Sequence, residues 1–555
     1  MRKDFALTMM KKRFWFLLPF LLAAFVLVWI YWQFPARVEM AGYIPSDALV
    51  YFEADDLPRV FQDFTETDAW RELAPQFGVR KDFGSFGWLS RFLANANLGS
   101  TETVVFGRSQ VALALMNVEA AGAEETLKIK PRYAVVIETK TSQSTAARFV
   151  EKQIGDFARR QFDEASAEKL EREGLNWTIF RSLKDERKIF AAVAGGTIIF
   201  GNDESAIKLC FDAKNQLRPS LAQSPRIAEM RANIEAGNAL AFGFVTSEGV
   251  KKLSQIGSVI LAGQISEQPA AMSLIAQSLP PMIEKTVAGI GWTARAANGK
   301  IEDRYFINMP PDLSARLREP LTVSNQTTID SANFLPAETH SVTIYNLKDA
   351  SAAWRGTILA VSAKLDTLGA AAFAQVAGKL LEPYGVRQPN DFLSAAGGEL
   401  TTARLSEKEN ETVAIVKIGD ANKMLAAIEP ATQTNNRAAT FTAGMLLLGE
   451  NEDAAKCLAA RENSLATTVF WQEFTKTKLS EGTPFIRTFT RDSESAMRFV
   501  RIFGDQQLKQ TAPDLSKNQS LTVSIAETGL RENGFERRTL SPFGLVGTLA
   551  ANFAE

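Results

Sequence analysis

Few residues in this 555-residue chain have side chains suited to acid–base, nucleophilic or metal chemistry. It contains one histidine, His340, and two cysteines, Cys210 and Cys457. A structural zinc site takes four nitrogen or sulfur ligands, so these three residues cannot form one by themselves. A Ser-His-Asp triad would have to use His340, which stands in a strand-like segment without a nucleophile motif. The sequence therefore predicts no catalytic residues, no metal site and no cofactor.

The two cysteines occupy similar surroundings, each in a helix-like segment that follows two apolar segments. Free cysteines are often buried as small apolar residues. A disulfide is the alternative, because exported compartments are oxidising. We predict free thiols for Cys210 and Cys457, since pairing would require equivalent faces of two separate domains to meet.

A serine and a lysine fit the S-x-x-K pattern of penicillin-recognising enzymes, namely Ser205 and Lys208. Neither the S-D-N nor the K-T-G partner motif is present. Asp203 and Glu204 stand just before Ser205, and acidic residues there are typical of a first helical turn. We predict a helix start, and a serine/lysine or carboxylate hydrolase remains an alternative.

Two further groups resemble functional motifs only in part. Gly289-Ile-Gly291 matches the text of a dinucleotide fingerprint, but an Asn-Gly hairpin signal follows it instead of a helix. The carboxylates of Glu53, Asp55 and Asp56 lack the spacing of an EF-hand calcium loop. We interpret these three as a solvated turn.

Composition limits the class of protein. Hydrophobic residues make up 46% and charged residues 23% of the chain, as in folded proteins. Its length predicts more than one domain. Lys and Arg number 62 against 63 Asp and Glu, so no broad basic surface is available and we expect no nucleic-acid partner.

A charge-free run at residues 14–34 predicts a transmembrane segment, because it can cross about 30 Å of hydrocarbon as a helix. Five basic residues precede it: Arg2, Lys3, Lys11, Lys12 and Arg13. The positive-inside rule places the 1–13 tail in the cytoplasm and the bulk of the chain in the periplasm or outside the cell. A cleaved signal peptide is the alternative, but no small-x-small site follows closely. We predict an uncleaved single-pass signal-anchor whose partner is the lipid bilayer.

Six pairs of segments recur in the same order along the remainder of the chain, which indicates an internal repeat. They are 43–51 and 334–345, 92–99 and 392–398, 133–140 and 412–419, 187–208 and 437–456, 237–244 and 482–489, and 286–306 and 521–540. The last pair aligns Asn298-Gly299 with Asn533-Gly534, a hairpin signal in both places.

The repeat predicts the domain organisation. A linker at 35–42 leads to a first copy at 43–315, and a second linker at 316–329 leads to a second copy at 330–545. Residues 546–555 form a C-terminal tail.

Each copy is predicted to have the α+β class, with an antiparallel sheet covered by helices, because the strand-like segments have short, often Gly-containing connections. Helical spacing predicts apolar faces made by three sets of residues: Trp70, Leu73, Ala74 and Phe77; Val150, Ile154 and Phe157; and Trp354, Ile358, Val361 and Leu365.

With its anchor, its Pro-Ser-Asp-Ala-Leu-Val-Tyr-Phe-Glu opening at 45–53 and its repeated hairpin-Gly-acidic-helix unit, the chain resembles a group of bacterial envelope proteins. They carry a domain of unknown function, one N-terminal membrane segment and a large exported region. The resemblance implies location and architecture, and it implies no catalytic residue.

These features favour a non-enzymatic, membrane-tethered envelope protein that acts as a scaffold or binding module. A carrier or chaperone for an apolar ligand, such as a lipid or an unfolded envelope protein, is the first alternative. The hydrolase is the second. Besides the bilayer, the expected partners are an envelope protein or a lipid.

Overall fold

The computed structural model describes residues 37–77, 109–121, 128–162, 164–265, 269–324, 329–379, 381, 384, 386, 388–407, 411–432, 437–491, 493–503 and 522–553. The predicted transmembrane segment at 14–34 and the tail before it lie outside these residues. Among the helices that are described, none is both long and apolar enough to cross a membrane.

The eighteen strands formed by the described residues belong to one antiparallel sheet. They are β1 Val50–Ala54, β2 Gln110–Ala121, β3 Lys128–Glu138, β4 Ala165–Arg172, β5 Leu175–Ser182, β6 Lys188–Ala194, β7 Thr197–Gly201, β8 Ala241–Val245, β9 Gly289–Ala297, β10 Lys300–Asn308, β11 Ser341–Tyr345, β12 Ala396–Arg404, β13 Thr412–Ile418, β14 Arg437–Thr442, β15 Met445–Glu450, β16 Ile486–Arg491, β17 Val523–Arg531 and β18 Gly534–Ser541. Together with the helices, this sheet confirms the predicted α+β class.

The sheet consists of two half-sheets that meet where β10 pairs with β18. From its outer edge the first half-sheet has the order β4-β5-β6-β7-β3-β2-β1-β8-β9-β10. The second has the order β14-β15-β13-β12-β11-β16-β17-β18. If the additional β4–β5 hairpin is left out and the strands of each half are numbered from one along the chain, both half-sheets have the same spatial order of strands.

The helices cover both faces of the sheet. They are α1 Leu57–Thr65, α2 Asp68–Leu73, α3 Gln143–Phe149, α4 Gly155–Phe162, α5 Glu204–Lys214, α6 Pro225–Asn233, α7 Ser247–Ile265, α8 Pro269–Thr286, α9 Pro311–Arg318, α10 Ala350–Ser362, α11 Thr367–Lys379, α12 Pro389–Ala395, α13 Ala421–Thr432, α14 Asn451–Ala459, α15 Val469–Lys476, α16 Ser493–Arg501 and α17 Gly544–Phe553.

On the first face each half-sheet has its own hydrophobic core. Helices α5 and α6 pack on the first half-sheet around Tyr51 and Phe244. Helices α14 and α15 pack on the second around Phe489 and Ile525. Because strand residues alternate between faces, the register places all four of these side chains on the same side of the sheet.

On the second face, helices from the two halves pack against each other across the junction. Helix α2 contacts α16, and α8 contacts α11. Trp70 of α2 meets Phe499 of α16 and Phe543 in edge-on ring contacts, with ring centroids 6.2 and 6.5 Å apart. Each half therefore contributes helices to a hydrophobic layer shared with the other half.

The hairpins confirm the Asn-Gly prediction but change its alignment. Asn298 and Gly299 form the two-residue turn of the β9–β10 hairpin, and both have positive φ. In the β17–β18 hairpin Arg531 pairs with Gly534, so Glu532 and Asn533 form the turn. The predicted alignment of the two hairpins is therefore one residue out of register.

With the corrected alignment, the same Glu-x-Arg motif occupies β10 and β18. Glu302 corresponds to Glu536 and Arg304 to Arg538, and the two arginines lie directly opposite each other across the junction. Like charges at opposed positions destabilise a sheet. Glu536 offsets this repulsion. Its carboxylate accepts a hydrogen bond from Arg304 Nε. It also lies 3.3 Å from Arg538 Nε, where the attraction is between charges and the hydrogen-bond geometry is poor.

The junction is buried as well as charged. The side chains of Arg304 and Glu536 are 4% and 5% exposed. Arg531 also donates to Glu536, at 2.8 Å. Glu235 extends the cluster, with an oxygen 3.1 Å from Arg304 Nη1. The two halves are therefore joined by backbone hydrogen bonds and by the buried Arg304–Glu536 ion pair.

Two of the predicted helical faces are confirmed in full or in part, and one contains an error. Trp70, Leu73, Ala74 and Phe77 are all buried. Trp354, Ile358 and Val361 are half-buried on α10, and Leu365 lies beyond its end. Phe157, by contrast, is 38% exposed. A π-helical turn at Val150–Ile154 inserts extra residues into the helix, so Ala158 takes the buried position instead.

The predicted linker and tail are parts of the folded body. The part of this linker that the structure describes, residues 37–42, runs into a 3₁₀ helix, Met40–Tyr43, in which Met40 and Ala41 are fully buried. Of residues 546–555, predicted as a tail, residues 546–553 belong to α17, which packs in the hydrophobic layer of the second face. Apolar side chains such as Met40 and Ala551 are buried in hydrophobic cores, which accounts for both differences.

We predict that Glu536→Ala destabilises the fold by about 3–5 kcal/mol, because it removes the buried carboxylate beside Arg304 and leaves only the exposed Glu235 near that buried guanidinium. Urea unfolding of the purified chain in detergent measures this loss. Glu168→Ala is the control, since it breaks an exposed ion pair with Arg181 and should cost less than about 1 kcal/mol. Equal losses for the two variants would contradict a buried ionic junction.

Asp303 makes the stability depend on pH. This buried carboxyl group accepts hydrogen bonds from Trp292 Nε1 at 3.0 Å and from the backbone N–H of Leu545 at 2.9 Å. Burial outweighs these bonds and raises its pKa to about 7. A raised folded-state pKa means that the protonated group stabilises the fold at acidic pH and that this contribution is lost as pH rises toward 7.

We therefore predict that the parent chain loses stability relative to Asp303→Asn between pH 4 and pH 8, by about 4 kcal/mol at most. The free energy of unfolding of both proteins across this range measures the difference. A difference that does not change with pH would show that Asp303 is ionised in the folded state.

Candidate binding surface

The residues singled out for their chemistry have structural roles. The backbone of His340 pairs with that of Arg404 and Arg491 just before β11. Ser205 donates its hydroxyl proton to Asp203, which caps α5 by accepting from Ala206 N–H at 3.1 Å. The predicted helix start is confirmed.

The lysine of the S-x-x-K pattern is engaged elsewhere. Lys208 Nζ lies 3.2 Å from Glu204 on the same helix. Gly289 and Gly291 lie in β9, a strand that runs into a hairpin as predicted.

The cysteines are confirmed as free thiols, fully buried in α5 and α14. Burial raises the pKa of the Cys457 thiol to about 12 and that of Cys210 further. A thiol with a raised pKa is a poor nucleophile at neutral pH. Both residues therefore behave as small apolar side chains in equivalent helices.

The prediction of a solvated turn at the carboxylates is wrong for Glu53. This residue lies in β1 and is buried, and it accepts from the Tyr51 hydroxyl at 2.5 Å and from Arg231 at 2.6 Å. Burial raises its pKa, and Arg231 opposes that shift. Asp56 instead caps α1 by accepting from Arg59 N–H. The described residues include no group of three His, Cys, Asp or Glu placed to hold a metal ion.

A hydrophobic surface that sequence analysis did not identify is formed by α7 and α8. Residues 253–283, which span most of both helices, contain one charged residue, Glu267. The side chains of Ile260 and Leu261 are 47% and 41% exposed. They line a groove of about 400 Å³ whose remaining walls are Ser254, Gly257, Ser258, Leu279 and Ile283. We call this groove and its exposed rim the apolar surface.

The two helices are held together around a pair of prolines. Pro280 and Pro281 lie inside α8, and proline has no N–H to bond the carbonyl four residues earlier. Ser258 of α7 is buried, and its hydroxyl oxygen lies 3.0 Å from the carbonyl of Gln255 on its own helix and 3.1 Å from that of Ala276 on α8. The single hydroxyl proton is within reach of both carbonyls, so Ser258 can donate to the Ala276 carbonyl that Pro280 leaves without an N–H.

The second half of the chain supports this helix pair. Ala262, Ile275 and Leu279 form a small core with Val376 of α11 packed against it. Helix α11 is itself free of charged side chains from Thr367 to Gly378, and its Leu368 is exposed. Hydrophobic exposure is thus shared by helices from both halves.

Charged side chains occur at the base of the helix pair, where it joins the sheet. Lys251 lies 3.1 Å from Glu284, which raises the pKa of the lysine. A second cavity of about 410 Å³ lies there, with Arg226, Glu229 and Glu248 in its wall. The change from a charged base to a charge-free body is typical of a surface that contacts something apolar.

The sequence contained the signal for this surface. A run such as 253–283 with a single charge is unusual for a pair of helices on a water-exposed protein. The glycine, serine and proline residues within it interrupt the apolar periodicity, so the segment lacks a strong one-sided pattern.

No protein family model matches the chain, and no curated protein or solved structure is significantly similar to it.

We predict that Ser258→Ala lowers stability by about 1–3 kcal/mol, because the part-buried carbonyl of Ala276 loses the hydroxyl within hydrogen-bond distance. Urea unfolding measures the loss. In a Pro280→Ala background the residue 280 N–H can bond this carbonyl, so the same substitution should cost less. Identical costs in the two backgrounds would contradict the proposed role of Ser258.

Proposed function

We propose that this chain is a non-enzymatic, single-pass membrane protein of the bacterial cell envelope that binds another envelope protein through its apolar surface. In this proposal residues 14–34 anchor the chain, residues 1–13 stay in the cytoplasm, and residues from 37 onward are exported. This agrees with the resemblance to envelope proteins of unknown function. The rest of the chain is two divergent copies of one α+β domain.

The common strand order of the half-sheets supports the duplication. So does the corrected hairpin alignment, which brings Glu302 and Arg304 into correspondence with Glu536 and Arg538. Cys210 and Cys457 also lie in corresponding helices that follow corresponding hairpins. Independent origin would not be expected to give both the topology and these residue matches.

The apolar surface, on a stretch that has one charged residue between positions 253 and 283, is the observation that carries the proposal. A soluble protein seldom leaves such a surface uncovered. Gly257 leaves open space beside the groove, since a Cβ built there has no atom within 4 Å. Small residues let a second helix approach closely, and an apolar helix face in such a groove is a common recognition mode. The partner that fits is therefore an apolar helical segment.

The shape of the groove favours a protein partner over a carried lipid. Small-molecule sites enclose most of the ligand surface. Here Ile260 and Leu261 stand on an exposed rim, so an acyl chain would remain largely in contact with water. The hydrolase alternative loses support because Ser205 contacts Asp203 whereas Lys208 contacts Glu204.

A photo-crosslinking residue at position 261 tests the proposal in intact membranes. We expect a discrete protein adduct that disappears when Gly257→Leu fills the groove, a change that also favours the helix. The matched control is the same crosslinker at position 217, because Leu217 is exposed but lies outside the apolar surface.

Adducts of equal yield at both positions, or an adduct at 261 that persists in Gly257→Leu, would contradict the proposal. A lipid adduct at 261 would instead support the carrier.

A further inference from the structure

The first described residues are fastened to the sheet by direct polar contacts. Arg37 forms an ion pair with Asp56 at 3.0 Å. The side-chain amide of Gln110 bonds both backbone groups of Val38, accepting from its N–H and donating to its carbonyl, each at 2.8 Å. Gln110 also donates to Asp55 at 3.0 Å. The chain is therefore held at the edge where β1 ends and β2 begins.

The next residues are held from the first face of the sheet. Arg231 of α6 donates to Glu39 at 2.9 Å and to the buried Glu53 at 2.6 Å. Its guanidinium stacks over the Phe242 ring, 5.1 Å from the centroid. Met40 and Ala41 follow and are fully buried. We call these contacts of residues 37–41 the juxtamembrane clamp.

The clamp leaves little chain between the body and the bilayer. The proposed membrane segment ends at residue 34, and Arg37 is already paired. Three residues reach at most about 11 Å when fully extended. The body therefore keeps the point where its chain leaves the sheet within about 11 Å of the proposed membrane segment, because the clamp holds residues 37–41 on the body.

The apolar surface begins at the opposite end of these central strands. Residues Val50 to Ala54 of β1 run toward the clamp, and Ala54 pairs with Val111 beside it. Val245, two residues before α7, pairs with Val50 at the far end of the same strand. Helix α8 returns to that far end, where β9 begins at Gly289. The clamp and the start of the apolar surface therefore lie at opposite ends of β1, a strand of five residues.

We propose that the strand ends beside the clamp, here called the clamp edge, lie against the lipid headgroups and that the apolar surface faces away from the anchoring bilayer. This inference rests on the proposed anchor. It means that the partner of the apolar surface is presented from the exported compartment, and that the anchoring membrane itself does not cover this surface. The clamp contacts set the orientation, and the anchor alone would not.

Fluorescence quenching in liposomes tests this orientation with the full-length chain. Single cysteines replace Ser144, near the clamp edge, and Ser273, on α8, both exposed serines. The native cysteines are fully buried, so they should not react with the dye. Headgroup spin-labelled lipid should quench the dye at position 144 several-fold more strongly than at 273. Equal quenching would overturn the orientation.

Two additional measurements separate the parts of the inference. Flotation of the vesicles comes first, because a chain that does not float with them refutes the anchor instead of the orientation. The variant Glu39→Ala with Gln110→Ala removes clamp contacts but keeps the Arg231–Glu53 pair. The quenching difference between the two positions should then shrink. A difference that stays unchanged would show that the clamp does not set the orientation.

Discussion

The pairing of β10 with β18 is the interaction on which the rest of the structure depends. Eight residue pairs, from Ile301 with Ser541 to Asn308 with Gly534, join the two half-sheets into one. That pairing places Arg304 opposite Arg538, and the carboxylate of Glu536 lies close to both guanidinium groups and offsets their repulsion. Without the pairing of β10 with β18, each half would expose an unpaired edge strand, and such a strand can pair with another chain and cause aggregation.

A continuous sheet also fixes where the helices lie. Helices α2 and α16 meet on the second face because the junction brings the two halves side by side, and α8 meets α11 for the same reason. The apolar surface is built on α7 and α8 of the first half but is supported by Val376 of the second. A surface assembled in this way keeps its shape only while the halves stay in register.

Much of the fold was predictable from local signals. The Asn298-Gly299 turn and the spacing of Trp70 with its neighbours indicated a hairpin and a helix correctly, and the short connections between strand-like segments indicated an antiparallel sheet. Pairing between halves was not predictable, because β10 and β18 are far apart in sequence and carry arginines that do not suggest a sheet centre. Glu53 was misjudged since its partner Arg231 is remote in the chain. The segment that forms the apolar surface lacks charged residues, but its apolar residues do not recur at the helical spacing that would have identified a one-sided helix.

The continuous sheet joins the two halves into one platform, and in the proposed function one end of its strands faces the membrane while the other end presents the apolar surface. Hydrogen exchange of the full chain tests this directly, because amides exchange according to the free energy of local opening. If the halves form one unit, the amides of β10 and β18 should exchange as slowly as those of β1 and β11, deep within each half. Fast exchange confined to β10 and β18 would show that the halves open independently and would contradict the platform.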